Sequence, residues 1–208
     1  MTLRFDPRMM SARDTALWYR ARPYLDVRSN DEHTLISYWI ARSMLKFHPE
    51  AREDIVLPAI VFHDVGWKRV PEELLALAVG PNARRPDLVK VHEIEGVAIA
   101  TAEFAILGAH GLPLKEVLAI IGGHDTTRDA RSLEDAILKY ADKLWRHTPH
   151  GIETMRSWWG SSQEEILTIL EDYVGPQLLT GTGRVMAQGL LATARAINAT
   201  PALTEKDT

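Results

Sequence analysis

Phe62-His63-Asp64-Val65-Gly66 sets an imidazole beside a carboxylate at the end of an apolar run that starts near Ile55. This donor pair suits Mn, Fe, Zn, Ni or Co, and with bound waters also Mg. Adjacent residues on a helix diverge by about 100°. The pair can therefore reach one ion only near a helix end, with further ligands converging from elsewhere. Alone, His-Asp is a common dipeptide, and its plain reading is a polar helix end beside a half-buried core histidine. The surrounding series changes that reading. His33 lies on the preceding helix at the polar edge of its stripe, and His92 opens the helix that follows. His124 comes directly after two glycines, and Asp142 lies inside Ala136-Ile-Leu-Lys-Tyr-Ala-Asp-Lys-Leu-Trp. Asp is unfavourable in a helix interior, and burying it unpaired is costly. A metal ion removes that cost. The competing reading of Asp142 is an exposed carboxylate paired with Lys139 or Arg146.

Helices must bring these residues together, and the apolar spacing is helical nearly throughout. It predicts helices over about 11–22, 30–47, 54–64, 89–108, 113–122, 133–147, 162–174 and 183–198, with no strand required. Pro23 stops the first, and Asn30 or Asp31 can cap the second. Pro58 is tolerable only near the first turn of the third, and Gly66 is placed to end it. Residues 80–88 and 124–131 read as loops, and 1–8 and 200–208 as frayed ends. Ser132 with Asp135 resembles a capping box, with Asp in place of Glu.

The order His33 … His63-Asp64 … Asp142 on successive helices resembles the HD superfamily of metal-dependent phosphohydrolases. Three local contexts agree. Ala59-Ile-Val-Phe-His-Asp-Val-Gly is similar to the family's apolar run into His-Asp-x-Gly. His92-Glu-Ile-Glu-Gly-Val-Ala is similar to its His-x-x-x-Gly-small pattern, and Leu138-Lys-Tyr-Ala-Asp-Lys-Leu to its closing Asp-Ala-Asp-x-Leu. The resemblance covers roughly residues 28–150. It implies an all-α HD-domain helical bundle with extra N- and C-terminal helices. The expected organisation is a single domain over 1–208, with an HD core at about 28–150 and a helical extension at about 151–200.

Carried over residue by residue, the resemblance makes His33, His63, Asp64 and Asp142 the ligands of one divalent ion. His92 and His124 match positions that bind a second ion in two-metal members, with Asp64 bridging. Three departures stand out. Gly123-His124 replaces the His-His pair of many two-metal members, Tyr140 replaces the first Asp of Asp-Ala-Asp, and Val-Gly-Trp-Lys follows His-Asp where the nucleotidase subgroup carries a catalytic glutamate.

The activity implied is hydrolysis of a small phosphorylated molecule, a phosphomonoester, phosphodiester or pyrophosphate and by expectation a nucleotide, by metal-activated water. With one ion bound, His92 and His124 are free to orient the water or protonate the leaving group. Lys68 and Arg128 are candidate phosphate-binding cations, although each also reads as a solvated surface charge. Asp125 is a candidate base or supporting residue, and Glu95, one turn beyond His92, a candidate partner for its ring. His147 and His150 read as helix-end cations. Trp39, Trp67 and Trp145 read as core or pocket walls. Two other functions stay open. A di-iron oxygenase of the same fold would use all six ligands, and a non-catalytic module would sense a nucleotide or a metal.

The 208 residues are 46% hydrophobic and 25% charged with net charge −4, and none is cysteine. That balance argues against a nucleic-acid polymer as partner. Without cysteine, disulfides and thiolate metal sites are excluded. The opening residues hold no apolar run of a secretory kind, and no stretch is long enough to span a bilayer. The expectation is a cytoplasmic protein without a membrane partner, with oligomerisation left open.

Overall fold

The computed structural model describes residues 9–80, 83–178 and 181–199. Both predicted frayed ends, 1–8 and 200–208, lie outside the described residues, as do two residues of the 80–88 loop. Every regular element among the described residues is helical. Contacts group the chain into two compact units, residues up to Asp142 and residues from Lys143.

In the first unit, α1 (Ala12–Ala21) is capped by the Ser11 hydroxyl, which accepts from the Asp14 N–H. Pro23 then diverts the chain into a 3-10 turn. Helix α2 (Asn30–Leu45) begins at Asn30 itself, entered through left-handed Arg28 and Ser29 (φ 55° and 58°), and not through a side-chain cap from Asn30 or Asp31. Helix α3 (Glu53–Phe62) is buried at every position from Ile55 to Phe62. A helix apolar on all sides belongs inside the core, and α3 packs against α1, α2 and α6 (Leu114–Ile121). Pro58 lies in the second turn of α3 and not the first. It removes one ladder hydrogen bond there, and the burial of Ile55 to Phe62 offsets that loss.

Gly66 does not end α3, as its type suggested. The helix closes at His63, and Gly66 lies in a following 3-10 turn, Val65–Arg69. That turn packs on α5 (Asp87–Leu107). A Cβ on Gly66 would stand 1.8 Å from the His92 carbonyl oxygen and 2.5 Å from the Gly96 nitrogen. Glycine is needed there for backbone approach. Helix α4 (Glu72–Ala78) has seven residues, too few to show a period in the sequence. Helix α5 closes at Gly108 in the left-handed region (φ 62°). Helix α7 (Leu133–Trp145) follows the 122–132 loop.

The second unit holds α8 (Pro149–Trp159), α9 (Gln163–Ile169) and α10 (Gly181–Ala199). The sequence reading assigned no helix to α8, although Thr148 caps it and Pro149 opens it. Ile152, Met155, Ile166, Leu167, Leu170 and Leu191 form its core. His147 departs from expectation. It is fully buried, its Nδ1–H reaches the Lys143 carbonyl at 3.3 Å, and its Nε2 has no hydrogen-bond partner among the described residues. Burial pushes its pKa down to about 4, so it is a neutral core histidine and not a helix-end cation.

His147 makes stability pH-dependent with a defined sign. Between about 6.5, its ordinary value, and about 4, the unfolded chain binds the proton and the folded one does not. Its contribution is therefore intact above about 6.5 and is lost as pH falls toward 4. Thermal unfolding at pH 7 and pH 5 should show the wild type losing more stability than His147→Gln. Equal losses would refute the assignment.

Candidate metal centre

Five helices deliver the candidate ligands. His33 comes from α2, His63 and Asp64 from the end of α3, His92 from α5, His124 from the turn after α6, and Asp142 from α7. All six are buried, Asp64 the most exposed at 8%. His33 Nε2 lies 2.9 Å from His63 Nε2, 3.4 Å from Asp64 Oδ2 and 3.3 Å from Asp142 Oδ1. His63 Nε2 is 3.7 Å from Asp64 Oδ2 and 3.9 Å from Asp142 Oδ1. On the other side, His92 Nε2 lies 3.3 Å from His124 Nε2, and the two stand 3.7 and 3.6 Å from Asp64 Oδ1. Each carboxylate oxygen of Asp64 thus faces its own pair of imidazoles.

These separations fit the donor set to ions. Bonds of about 2.1 Å place neighbouring donors about 3.0 Å apart in an octahedron and about 3.4 Å apart in a tetrahedron. The tautomers fit as well. His63 Nδ1–H donates to the Ile60 carbonyl at 2.8 Å and His124 Nδ1–H to that of Ile121 at 2.9 Å, which leaves Nε2 of each facing inward. Two groups can each hold a cation, His33 with His63 and Asp64, and Asp64 with His92 and His124. Asp142 borders the first by the distances above.

A family model for the HD domain matches residues 30–146. The chain belongs to the HD domain family. That membership and the buried His and Asp clusters together fit a metal-dependent hydrolase. Compared with curated proteins and with solved structures, the chain gives no significant match. None of the helices among the described residues is long and apolar enough to cross a membrane.

The electrostatics of this HD domain follow from its crowding. Burial works against the charge on Asp64, yet His63, His124, His33 and His92 hold its carboxyl well below the usual carboxylate range. Burial pushes His63 down, and it pushes His92 down to about 4 with help from His124. Burial opposes charge on His124 too, but Asp125 and Asp64 override it and raise its pKa to about 9. The two rings thus differ in their affinity for a proton, and a cation bound by both Nε2 atoms would compete with the proton favoured on His124.

The remaining expected residues are distributed unevenly. Asp125 Oδ2 lies 3.7 Å from both His92 and His124 Nε2, with the side chain 26% exposed, so it stands at the edge of the second group. Lys68 is on the surface, 2.6 Å from Asp26 Oδ1. Arg128 is exposed in the loop after Asp125. Glu95 does not orient His92, whose Nδ1 is buried without a hydrogen-bond partner among the described residues.

Two buried charges that sequence reasoning passed over fix the loop carrying His124 and Asp125. Glu93 is fully buried and accepts from the Asp125 N–H (3.0 Å), the Thr126 N–H (2.9 Å), the Thr126 hydroxyl (2.6 Å) and the Lys90 ammonium (2.8 Å). Lys139, 4% exposed, donates to the carbonyls of Gly123 (2.8 Å), His124 (2.8 Å) and Thr127 (2.9 Å). Its ammonium is thus directed to the loop, whereas the sequence had offered it as a partner for Asp142. A charge inside an apolar helix is the signal that could have flagged Lys139. Glu93 carries no comparable signal, because its partners in the loop lie more than thirty positions away. Lys139→Met removes the ammonium from two buried carbonyls, a part-buried one and the Asp135 carboxylate 3.6 Å away, and should cost about 3 kcal/mol in urea unfolding. An unchanged midpoint would contradict the role given to Lys139.

Proposed function

We propose that this chain is a phosphohydrolase with two adjacent metal subsites that share Asp64, acting on a small phosphorylated molecule, with nucleotides the first class to test. The observation that supports this reading is the division of Asp64, one oxygen facing His33 and His63 and the other facing His92 and His124. In this reading His33, His63, Asp64 and Asp142 hold one divalent ion, and Asp64, His92 and His124 the other. Ions held by these residues would supply Lewis-acid chemistry, polarising a phosphate oxygen and lowering the pKa of the attacking water. Water forms the new P–O bond while the ester P–O bond breaks, and the leaving oxygen departs with the electron pair. Asp125, partly exposed at the edge of the second group, is assigned to take the proton of that water. Arg128, in the same loop, and Lys68 are assigned to the phosphate charge, Lys68 by exchanging Asp26 for substrate. If only one ion binds, His92 and His124 take over the orientation of the water and the proton delivery to the leaving group.

The same sharing of Asp64 by two groups also favours a second reading, a di-iron oxygenase. The two readings separate on what is consumed. The phosphohydrolase releases phosphate or pyrophosphate without oxygen, whereas the oxygenase takes up dioxygen.

Protein reloaded with Mn, Co, Ni, Zn or Mg should release phosphate or pyrophosphate from members of a panel of nucleotides and small phosphomonoesters and diesters. Chelation should abolish the release, and Asp125→Asn should lower kcat by about 10²-fold or more with little change in KM. A metal-loaded protein that hydrolyses nothing in the panel would overturn the reading, and iron-dependent oxygen uptake would replace it with the second.

A further inference from the structure

His92 is held differently from the other imidazoles whose orientation can be traced. His63 and His124 each donate Nδ1–H to a backbone carbonyl, which sets both ring plane and tautomer. His92 is fully buried and its Nδ1 has no hydrogen-bond partner among the described residues. A ligand imidazole ordinarily gains its orientation from a hydrogen bond on the far nitrogen. Here the ring lies flat on Trp67 instead, with centroids 4.0 Å apart and planes inclined by 9°.

Trp67 does more than stack. Its indole Nε1–H donates to Asp64 Oδ1 at 3.2 Å, the oxygen that faces His92 and His124. One side chain thus touches two members of the second group and orients each by a different contact. The indole itself is firmly set. It is 3% exposed and packs with Val70, Leu75, Ala78 and Leu88. It sits in the 3-10 turn that Gly66 lets approach α5. The Arg28 guanidinium lies 4.9 Å from the ring centroid. With His92 stacked flat on one face, the opposite face is the one left for that cation.

We infer that Trp67 is a positioning residue for the second metal subsite, replacing the missing hydrogen bond on His92 and aiming Asp64 Oδ1. The inference rests on the two-subsite reading above. Stacking restrains the plane of His92 but does not choose between its ring nitrogens. With three donors, against four where Asp142 joins His33, His63 and Asp64, the second subsite is the weaker one, and it fills after the subsite of His33, His63 and Asp142. Trp67 is not a catalytic residue, because it touches ligands and not the reacting atoms.

The test is calorimetric titration of chelator-stripped, full-length protein with Co, together with its visible absorption. The wild type should show two binding events of different affinity. Trp67→Phe keeps an aromatic face and loses the N–H, whereas Trp67→Leu loses both. The weaker event should fall severalfold in Trp67→Phe and 10–100-fold in Trp67→Leu, the range expected when a ligand loses its support. The stronger event should stay within about twofold. Trp67→Phe decides the matter if Trp67→Leu fails to fold, since a merely structural loss would weaken both events together. Two undisturbed events in both variants, or equal weakening of the two events in Trp67→Phe, would overturn the role of Trp67 and leave the two-subsite reading standing. A wild type that binds no Co would remove that reading, and the inference with it.

Discussion

Asp64 sits where a buried carboxylate must share its charge in two directions. Four imidazole nitrogens stand 3.4–3.7 Å from its oxygens, two on each side. A carboxylate 8% exposed is costly to bury without compensation. His63 and His124, whose Nδ1–H groups are committed to carbonyls, each turn an Nε2 lone pair into this cluster, which is also unfavourable without a cation or proton to meet it. Divalent ions resolve both problems. The convergence of α2, α3, α5, the turn after α6 and α7 becomes intelligible as the means of building this one carboxylate environment.

The surrounding structure spends its own buried polar groups on holding that arrangement. Glu93 binds amides and Lys139 binds carbonyls of the same short loop, so His124 and Asp125 are set from two sides. Gly66 lets the turn after Asp64 press on α5, which brings Trp67 over His92. A centre held this way is oriented by packing and hydrogen bonds among the chain's own residues. Within the second group His124 is oriented by a carbonyl on Nδ1, whereas His92 is held by the face of Trp67.

Much of this was legible in the sequence, and the physical reason is local. Long helices such as α2 and α5, and the strongly one-sided α7, declare themselves, and the ligand residue types stand out because His and Asp are unusual beside apolar runs. Short or irregular elements do not. Helix α4 is too brief for a period, and α8 hides behind Thr148-Pro149, which resembles a connector. Gly66 was recognisable as necessary, but the reason for it, a carbonyl on α5, comes from another part of the chain. Glu95 was preferred to Glu93 because helical spacing is all a sequence offers. The contacts of Glu93 reach across to residues 125 and 126, which only the folded chain brings near. His147 misled for a related reason, because the full burial of this residue at a helix end is not readable from its spacing.

The central claim is that one carboxylate serves two ions. Elemental analysis of chelator-stripped protein reloaded with a single divalent metal, with protein concentration measured on the same sample, tests it most directly. The wild type should bind two ions per chain. One ion per chain, or none, would contradict it.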